Sequence, residues 1–304
     1  MLKQHTESRE QVRIMATDNV DRFHQFYDDL NIPNVIANRQ LFFKHGPLAM
    51  AAFFNPLVPS TVTESDCHSV RQSLGILGVI EFNAAPPSGG NWYYLHRAEP
   101  IDLEKIPAKK RYDIRKGLTH CTVEKLSVSD FLSRDGLSVA ARCSRKRKTS
   151  FSKKDFLNTL QVYVNFPDEV HIWGVFFECK MAGFSINYIL PDTQCYFNQI
   201  DLCPLYLDKQ SSYALVYVMS NAYLCQGYTI NAGFKRIYHP TEFQEYLVSK
   251  FGFEKKPLLM TFSPNKALRF FSPLVLKIRD IFHLTNGRVA GLAVLFDAME
   301  SRWR

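Results

Sequence analysis

Three strand-like segments with almost nothing between them constrain this chain most. VHIWGVFFE (170–178), AGFSINYIL (182–190) and QCYFNQIDL (194–202) are rich in β-branched and aromatic residues. Only Cys179-Lys180-Met181 and Pro191-Asp192-Thr193 separate them. Parallel strands need a crossover of a dozen residues or more, so these three run as antiparallel hairpins.

Helical and strand patterns flank this meander. Before it, HCTVEKLS (120–127) predicts a strand and SDFLSRDGLSVAARC (129–143) a helix capped by Ser129 or Asp130. CSRKRKTS (143–150) reads as a solvated basic connection, which could steer an acidic acceptor, and 152–166 as a second helix. After the meander, a long helix is predicted over 210–225, with Leu215, Val218, Met219 and Ala222 buried and Gly227 as its stop. A strand follows at Thr229–Phe234. The next helix opens with Thr241 and Gln244 at capping-box spacing, sets Phe243, Tyr246, Leu247 and Lys250 on one face, and closes at Gly252. With a last strand at Pro257–Ser263, residues 119–263 read β-α-α-β-β-β-α-β-α-β.

Upstream, the pattern predicts a helix over 18–30, a hairpin about His45-Gly46-Pro47, and a helix over 64–77 stopped by Gly78. Strands follow at Val79–Phe82 and Trp92–His96, around the turn-rich loop Asn83–Gly90. Residues 101–118 turn basic and helical, ending near Gly117. The tail, 264–304, holds a basic amphipathic pattern (FSPLVLKIRDIFHL) and a nearly apolar one (GRVAGLAVLFDAM); packing on the domain and peripheral membrane contact are both open to it.

At 304 residues there is room for two domains with sizeable cores. Seven cysteines, an odd number with no C-x-x-C pair, argue against a disulfide framework or a zinc site and fit a reducing, cytoplasmic compartment. The polar start has no signal core, and no apolar run reaches membrane-spanning length. A net charge of +8 favours anionic partners.

Four stretches carry a family resemblance: KKRYDIRKG (109–117), VHIWGV (170–175), GYTINAG (227–233) and KFGF (250–253). Together with the element order they resemble the FemAB family, bacterial peptidoglycan bridge-forming aminoacyltransferases within the GNAT acyltransferase superfamily. The resemblance covers about 100–263 well and 1–99 loosely. It implies an α/β fold (α+β) with a mixed sheet that splays between its fourth and fifth strands. It also implies a degenerate GNAT-like domain over 1–100, a basic inter-domain helix over 101–118, the acyltransferase domain over 119–263 and a helical basic tail over 264–304. The implied activity is N-acyl transfer from acyl-CoA or aminoacyl-tRNA, without a metal, to an amine-bearing, anionic or cell-envelope acceptor. Two departures stand out. Leu247 and Val248 occupy the place of the family's lysine, and LDKQSSY (207–213) replaces the acetyl-CoA loop signature. A non-catalytic nucleotide- or RNA-binding protein on the same fold is the alternative.

Acyl transfer to an amine needs donors for the developing oxyanion and a group to manage the amine's proton. His239 is the candidate base and Tyr238 a proton donor to the leaving group. Asn198 and Asp201, near the expected splay, are candidates to position the amine. Gly233 permits close approach, with Lys235 and Arg236 facing an anion. Arg111 and Arg115 share a helix face and, with Lys116, are candidates to clamp a phosphate. Trp173 is a further candidate substrate contact. Lys209, Gln210, Ser211, Ser212 and Tyr213 form a candidate helix-start site for a diphosphate. The expected cleft lies between the two domains, lined by Arg111, Arg115, Asn198 and His239.

Overall fold

A computed structural model describes residues 20–51, 62–85, 92–191, 193–235, 242–282 and 295–296. In chain order the helices and strands are α1 (20–29), β1 (Asn34–Ala37), β2 (Gln40–His45), β3 (Leu48–Ala51), α2 (Glu64–Leu74), β4 (Gly78–Ala84) and β5 (Trp92–Arg97). Then come α3 (Ala108–His120), β6 (Cys121–Leu126), α4 (Val128–Ser133), α5 (Gly136–Lys146), α6 (Lys153–Val164), β7 (Val170–Phe177), β8 (Lys180–Leu190) and β9 (Gln194–Leu202). The chain continues with α7 (Ser211–Leu224), β10 (Thr229–Phe234), α8 (Glu242–Phe251), β11 (Glu254–Pro264) and α9 (Lys266–Phe282). Among the described residues no helix is long and apolar enough to cross a membrane.

The chain forms two compact units: 1–93 with 234–241 and 256–304, and 94–233 with 242–255. This differs from a division at 100, 118 and 263. Helix α3 packs on α7 and β6, so it belongs to the second unit and is no free-standing linker. Strand β11 pairs antiparallel with β4 from Leu258↔Ala84 to Pro264↔Gly78, which carries that stretch into the first unit.

The first unit orders its strands β1-β2-β3-β4-β11. Hairpin β2–β3 turns through Gly46-Pro47, and α2 is the crossover that sets β4 parallel to β3. Helix α2 is fixed at both ends. Thr63 and Asp66 make a reciprocal capping box, and Gly75 stops the helix at φ 59°, three residues before the predicted Gly78. Val70, Leu74 and Cys67 pack with Phe42, Ala49 and Val79. Leu295 and Phe296 join a second cluster with Ile80, Met260 and Phe262; the rest of the apolar tail pattern lies outside the described residues.

The second unit orders its strands β5-β10-β9-β8-β7-β6. The predicted meander is present as β7–β8–β9, with β6 antiparallel on β7. Helix α7 crosses over to set β10 parallel to β9. Alternation along β8 gives the sheet two faces. Phe184 meets Phe131 of α4 on one face, and Asn187 meets Met219 of α7 on the other.

Several boundaries fall elsewhere than the periodicity placed them. The single helix over 129–143 is two helices, because Asp135 turns at φ 65° and Gly136 has Phe131's ring where a side chain would stand. The cap is Ser127, with Asp130 completing the box. The basic connection is partly helical, since α5 runs on to Lys146. Helix α3 passes through Gly117 to His120. On α7 the buried side is Leu215, Met219, Val216 and Tyr223, with Val218 and Ala222 only half-buried.

Candidate active site

The second unit's sheet opens along one seam. Strands β9 and β10 pair only at Gln194↔Thr229, Cys195↔Ile230 and Tyr196↔Asn231. From Phe197 onward the edge of β9 toward β10 has no strand partner among the described residues. A bulge starts the divergence. Ile186 faces Gln199 while Asn187 faces Phe197, so Asn198 is the extra residue of β9. Bulges bend a strand and break its ladder locally, which is what the opening requires. Asn198 is exposed at this point.

The bulge also sorts the neighbouring side chains. Phe197 and Ile200 fall opposite Asn187 and Ser185, on the α7 face, while Gln199 and Asp201 turn to the α5 face. Phe197 packs there against Phe253, ring centres 6.3 Å apart. Asp201, 1% exposed, is held by the two terminal guanidinium nitrogens of Arg147 and by Gln199 Nε2 at 2.9 Å. Asp201 is thus engaged in a fork with the C-cap of α5, which ties Arg147 of the solvated basic run to β9.

Gly233 has φ 89°, a backbone state that side chains rarely adopt. Its N–H donates to Asn231 Oδ1 (3.0 Å), and its carbonyl accepts from Gln244 Nε2 of α8 (3.1 Å). Gln244 therefore reaches back to the end of β10; its predicted capping partner, Thr241, lies outside the described residues. So do Arg236, Tyr238 and His239. The backbone N–H of Lys235 donates to Tyr93 O (2.8 Å), and its ammonium lies 5.9 Å from the Trp92 ring centre.

At the start of α7 the predicted diphosphate residues meet protein groups. Gln210 takes φ 60° and makes no side-chain cap; Asp208, just before it, pairs with Lys209 at 3.0 Å. The Lys209 ammonium sits over Phe177, Ser211 Oγ donates to Tyr206 O (3.2 Å), and Ser212 Oγ accepts from the Tyr246 hydroxyl of α8 (3.1 Å). Tyr213 is buried edge-on to Tyr246. Lys250 of α8 lies 5.5 Å from the Tyr213 ring centre and 3.7 Å from Asp113 of α3. Its hydrogen bond with Tyr213 first, then the charges around it, hold the Lys250 ammonium above the usual lysine range. Arg97 closes the far end of α8, donating to the carbonyls of Phe251 and Gly252 at 2.9 Å each. Sequence reasoning missed the roles of Arg147, Arg97 and Asp113, because their partners are distant in the chain.

On α3, Arg111 and Arg115 converge on one carboxylate, Glu104, with Arg115 Nη2 at 2.8 Å. Lys116 is half-buried. Trp173 is buried and donates its indole N–H to the Tyr223 hydroxyl (2.7 Å), which Asn187 Nδ2 also reaches (3.4 Å). His171 stacks on the same Tyr223 ring at 5.8 Å. Among the described residues no group of three or more His, Cys, Asp or Glu could hold a metal ion. Burial pushes the thiols of Cys121, Cys143 and Cys195 up, Cys143 to about 12, so none of these three is an activated nucleophile.

The chain shares its fold with several solved structures. One is the C-terminal DUF2156 domain of a protein described as a lysylphosphatidylglycerol synthetase, from Agrobacterium fabrum: TM-score 0.51, 13% identity, 88% of this chain and 96% of that one covered. The L-PGS structure from Bacillus licheniformis gives TM-score 0.50, 13% identity and coverage of 88% and 97%. FemX is similar over 76% of this chain and 85% of its own, at TM-score 0.49 and 10% identity. At such identities the likeness is one of fold. The sheet of the second unit, parting between β9 and β10, its fourth and fifth strands, is the GNAT-like mixed sheet that the resemblance implied. No protein-family model and no curated protein matches the sequence.

The network under Tyr223 gives a test of the fold around the seam. Burial first, then the Lys125 ammonium, push the His171 imidazole down to about 4, with Asp168 opposing. The unfolded chain's histidine sits near about 6.5 and takes up a proton first, so its contribution to stability is full above that pH and is lost as pH falls toward 4. The melting-temperature advantage of wild type over His171→Phe should therefore shrink between pH 7 and pH 4. A pH-independent difference would place His171 in contact with water.

Proposed function

We propose that the chain is a GNAT-fold acyltransferase. It would take an acyl or aminoacyl group from an activated ester or thioester and pass it to an amine on an anionic, envelope-related acceptor. The parting of β9 from β10 beyond Tyr196 and Asn231 carries this reading, because it leaves strand-edge donors free where a reacting carbonyl can lie. In this scheme Asn198 at the bulge orients the amine, which attacks the carbonyl carbon. His239 takes the proton the amine loses, and Tyr238 protonates the leaving oxygen or sulfur as its bond to the acyl carbon breaks. Arg111, Arg115, Lys116, Lys235 and Arg236 offer positive charge to the acceptor, Gly233 permits its close approach, and Trp173, buried on Tyr223, supports the sheet instead of touching substrate.

Of the two donor classes, an aminoacyl ester such as aminoacyl-tRNA fits better than coenzyme A. A diphosphate needs the first turn of α7, and there Ser212 already accepts from Tyr246 while Ser211 is buried and bound to Tyr206. Lys209, Gln210, Ser211, Ser212 and Tyr213 then support the site from behind. One fold neighbour, at TM-score 0.51, carries a name that joins an amino acid to an anionic lipid, which supports the same choice.

Thermal shift with coenzyme A, acetyl-CoA and aminoacyl-tRNA tests the donor. A ligand of the folded state at roughly 100 times Kd adds about 2.7 kcal/mol, so only aminoacyl-tRNA should raise the melting temperature by several degrees. A shift with the coenzymes alone would overturn the donor choice. With a donor in hand, His239→Ala and Arg115→Ala should each lower turnover. Tight tRNA binding that never yields product, and that weakens steeply with salt, would establish the RNA-binding alternative instead.

A further inference from the structure

Helix α9 presents apolar side chains on two sides. Inward, Leu268, Val275 and Leu276 pack on Ile80, Met260 and Phe262. Outward, Phe270 is 80% exposed, Leu274 56% and Phe271 52%, with the two phenyl rings in edge contact at 5.3 Å. Phe270 is the most exposed of the large hydrophobic side chains among the described residues. At about 100° per residue, Phe270, Leu274 and Phe271 share one arc, and Lys277 and Lys266 fall at its edge.

The helix keeps this face continuous across a proline. Pro273 has no N–H for the Arg269 carbonyl, and the Ser272 hydroxyl donates to that carbonyl instead, at 2.8 Å. From Lys266 to Lys277 the sequence has three cations and no acid. Lys266 and Lys277 are exposed, and Arg269 lies 4.0 Å from Glu64 of α2. An apolar stripe rimmed by cations, with nothing acidic among them, matches a helix that lies in the plane of an anionic lipid surface.

The geometry points to α9 as an interfacial anchor: Phe270, Phe271 and Leu274 enter the headgroup region of an anionic bilayer, and Lys266 and Lys277 meet its phosphates. The inference stands apart from the transfer reaction, since it concerns where the chain binds and not what it catalyses.

Sedimentation of the full chain with phosphatidylcholine vesicles, with and without phosphatidylglycerol, tests it. Binding should appear on the mixed vesicles and weaken with salt. Phe270→Ser/Phe271→Ser/Leu274→Ser should reduce partitioning at least about ten-fold, since each side chain loses most of its burial in the interface. Lys266→Glu/Lys277→Glu should reduce binding to the mixed vesicles by a similar factor and leave the weak binding to neutral vesicles unchanged. Two results overturn the proposal. One is equal binding by wild type and the triple-serine variant. The other is a dimer that dissociates in that variant while no vesicle binding is seen, which assigns the face to a second copy.

Discussion

Arg147→Ala should lower stability by about 2–3 kcal/mol, read as a fall of several degrees in the melting of the unit that contains β9. Asp201 is 1% exposed and Arg147 supplies its counter-charge through a two-pronged contact, the second prong at 3.3 Å. Removing the arginine leaves a buried carboxylate with Gln199 as its remaining hydrogen-bond donor. The cost sits below that of a fully buried pair because the Arg147 side chain is 47% exposed and shares its charge with water. The second half of a double-mutant cycle sharpens the test. Asp201→Asn in the Arg147→Ala background should recover part of the loss, because the amide needs no counter-charge. A change within about 0.5 kcal/mol for Arg147→Ala would mean that water already neutralises Asp201. The consequence for function is positional. This fork ties α5 to β9 three residues beyond the bulge, so loosening it should also blur the seam at Asn198.

The legible part of this architecture was the part encoded locally. The meander β7–β8–β9 followed from alternation and short breaks, and α7, β10 and α8 from capping and apolar period. Even the bulge had left a trace. The apolar phase along β9 runs Cys195, Phe197 and then Ile200, Leu202, slipping by one residue at Asn198-Gln199. That slip keeps apolar side chains on the α7 face while the strand gains a residue. What the sequence could not show are pairings over long separations. Arg147 sits in a run of cations that looks like any solvated loop, and nothing local links it to Asp201, 54 residues on. Arg97 closing α8 spans 154 residues. The first turn of α7 looked like an anion site because Ser211 and Ser212 were free to be imagined as donors. In the structure the Ser211 hydroxyl donates to the Tyr206 carbonyl, and the Ser212 oxygen accepts from the Tyr246 hydroxyl. Polar residues at a helix start satisfy the chain's own groups as readily as a ligand's, and only the packing decides between the two.

The sign of a single substitution tests how tightly that start is enclosed. Gly117→Ala on α3 should destabilise, although alanine in a helix is worth about 1 kcal/mol over glycine. A Cβ at Gly117 would stand 2.6 Å from the Gln210 carbonyl oxygen and 3.1 Å from the Ala214 nitrogen, both of them backbone atoms that no rotamer change can move. Gln210 is the left-handed residue from which α7 springs, and its carbonyl accepts from Tyr213 and Ala214. Pushing α3 outward therefore disturbs the first turn of α7, the loop that precedes it and the Tyr246–Ser212 contact together. Overpacking of this kind costs roughly 1–3 kcal/mol, enough to cancel or exceed the propensity gain for alanine, and the larger Gly117→Val should cost more again. Because one short 3-10 turn, Pro204–Lys209, joins the unpaired end of β9 to the α7 start, Gly117→Val should also weaken donor binding by more than its loss of stability explains. Stabilisation by Gly117→Ala would show that α3 and α7 lie farther apart than these distances, and would reopen the first turn of α7 to a diphosphate.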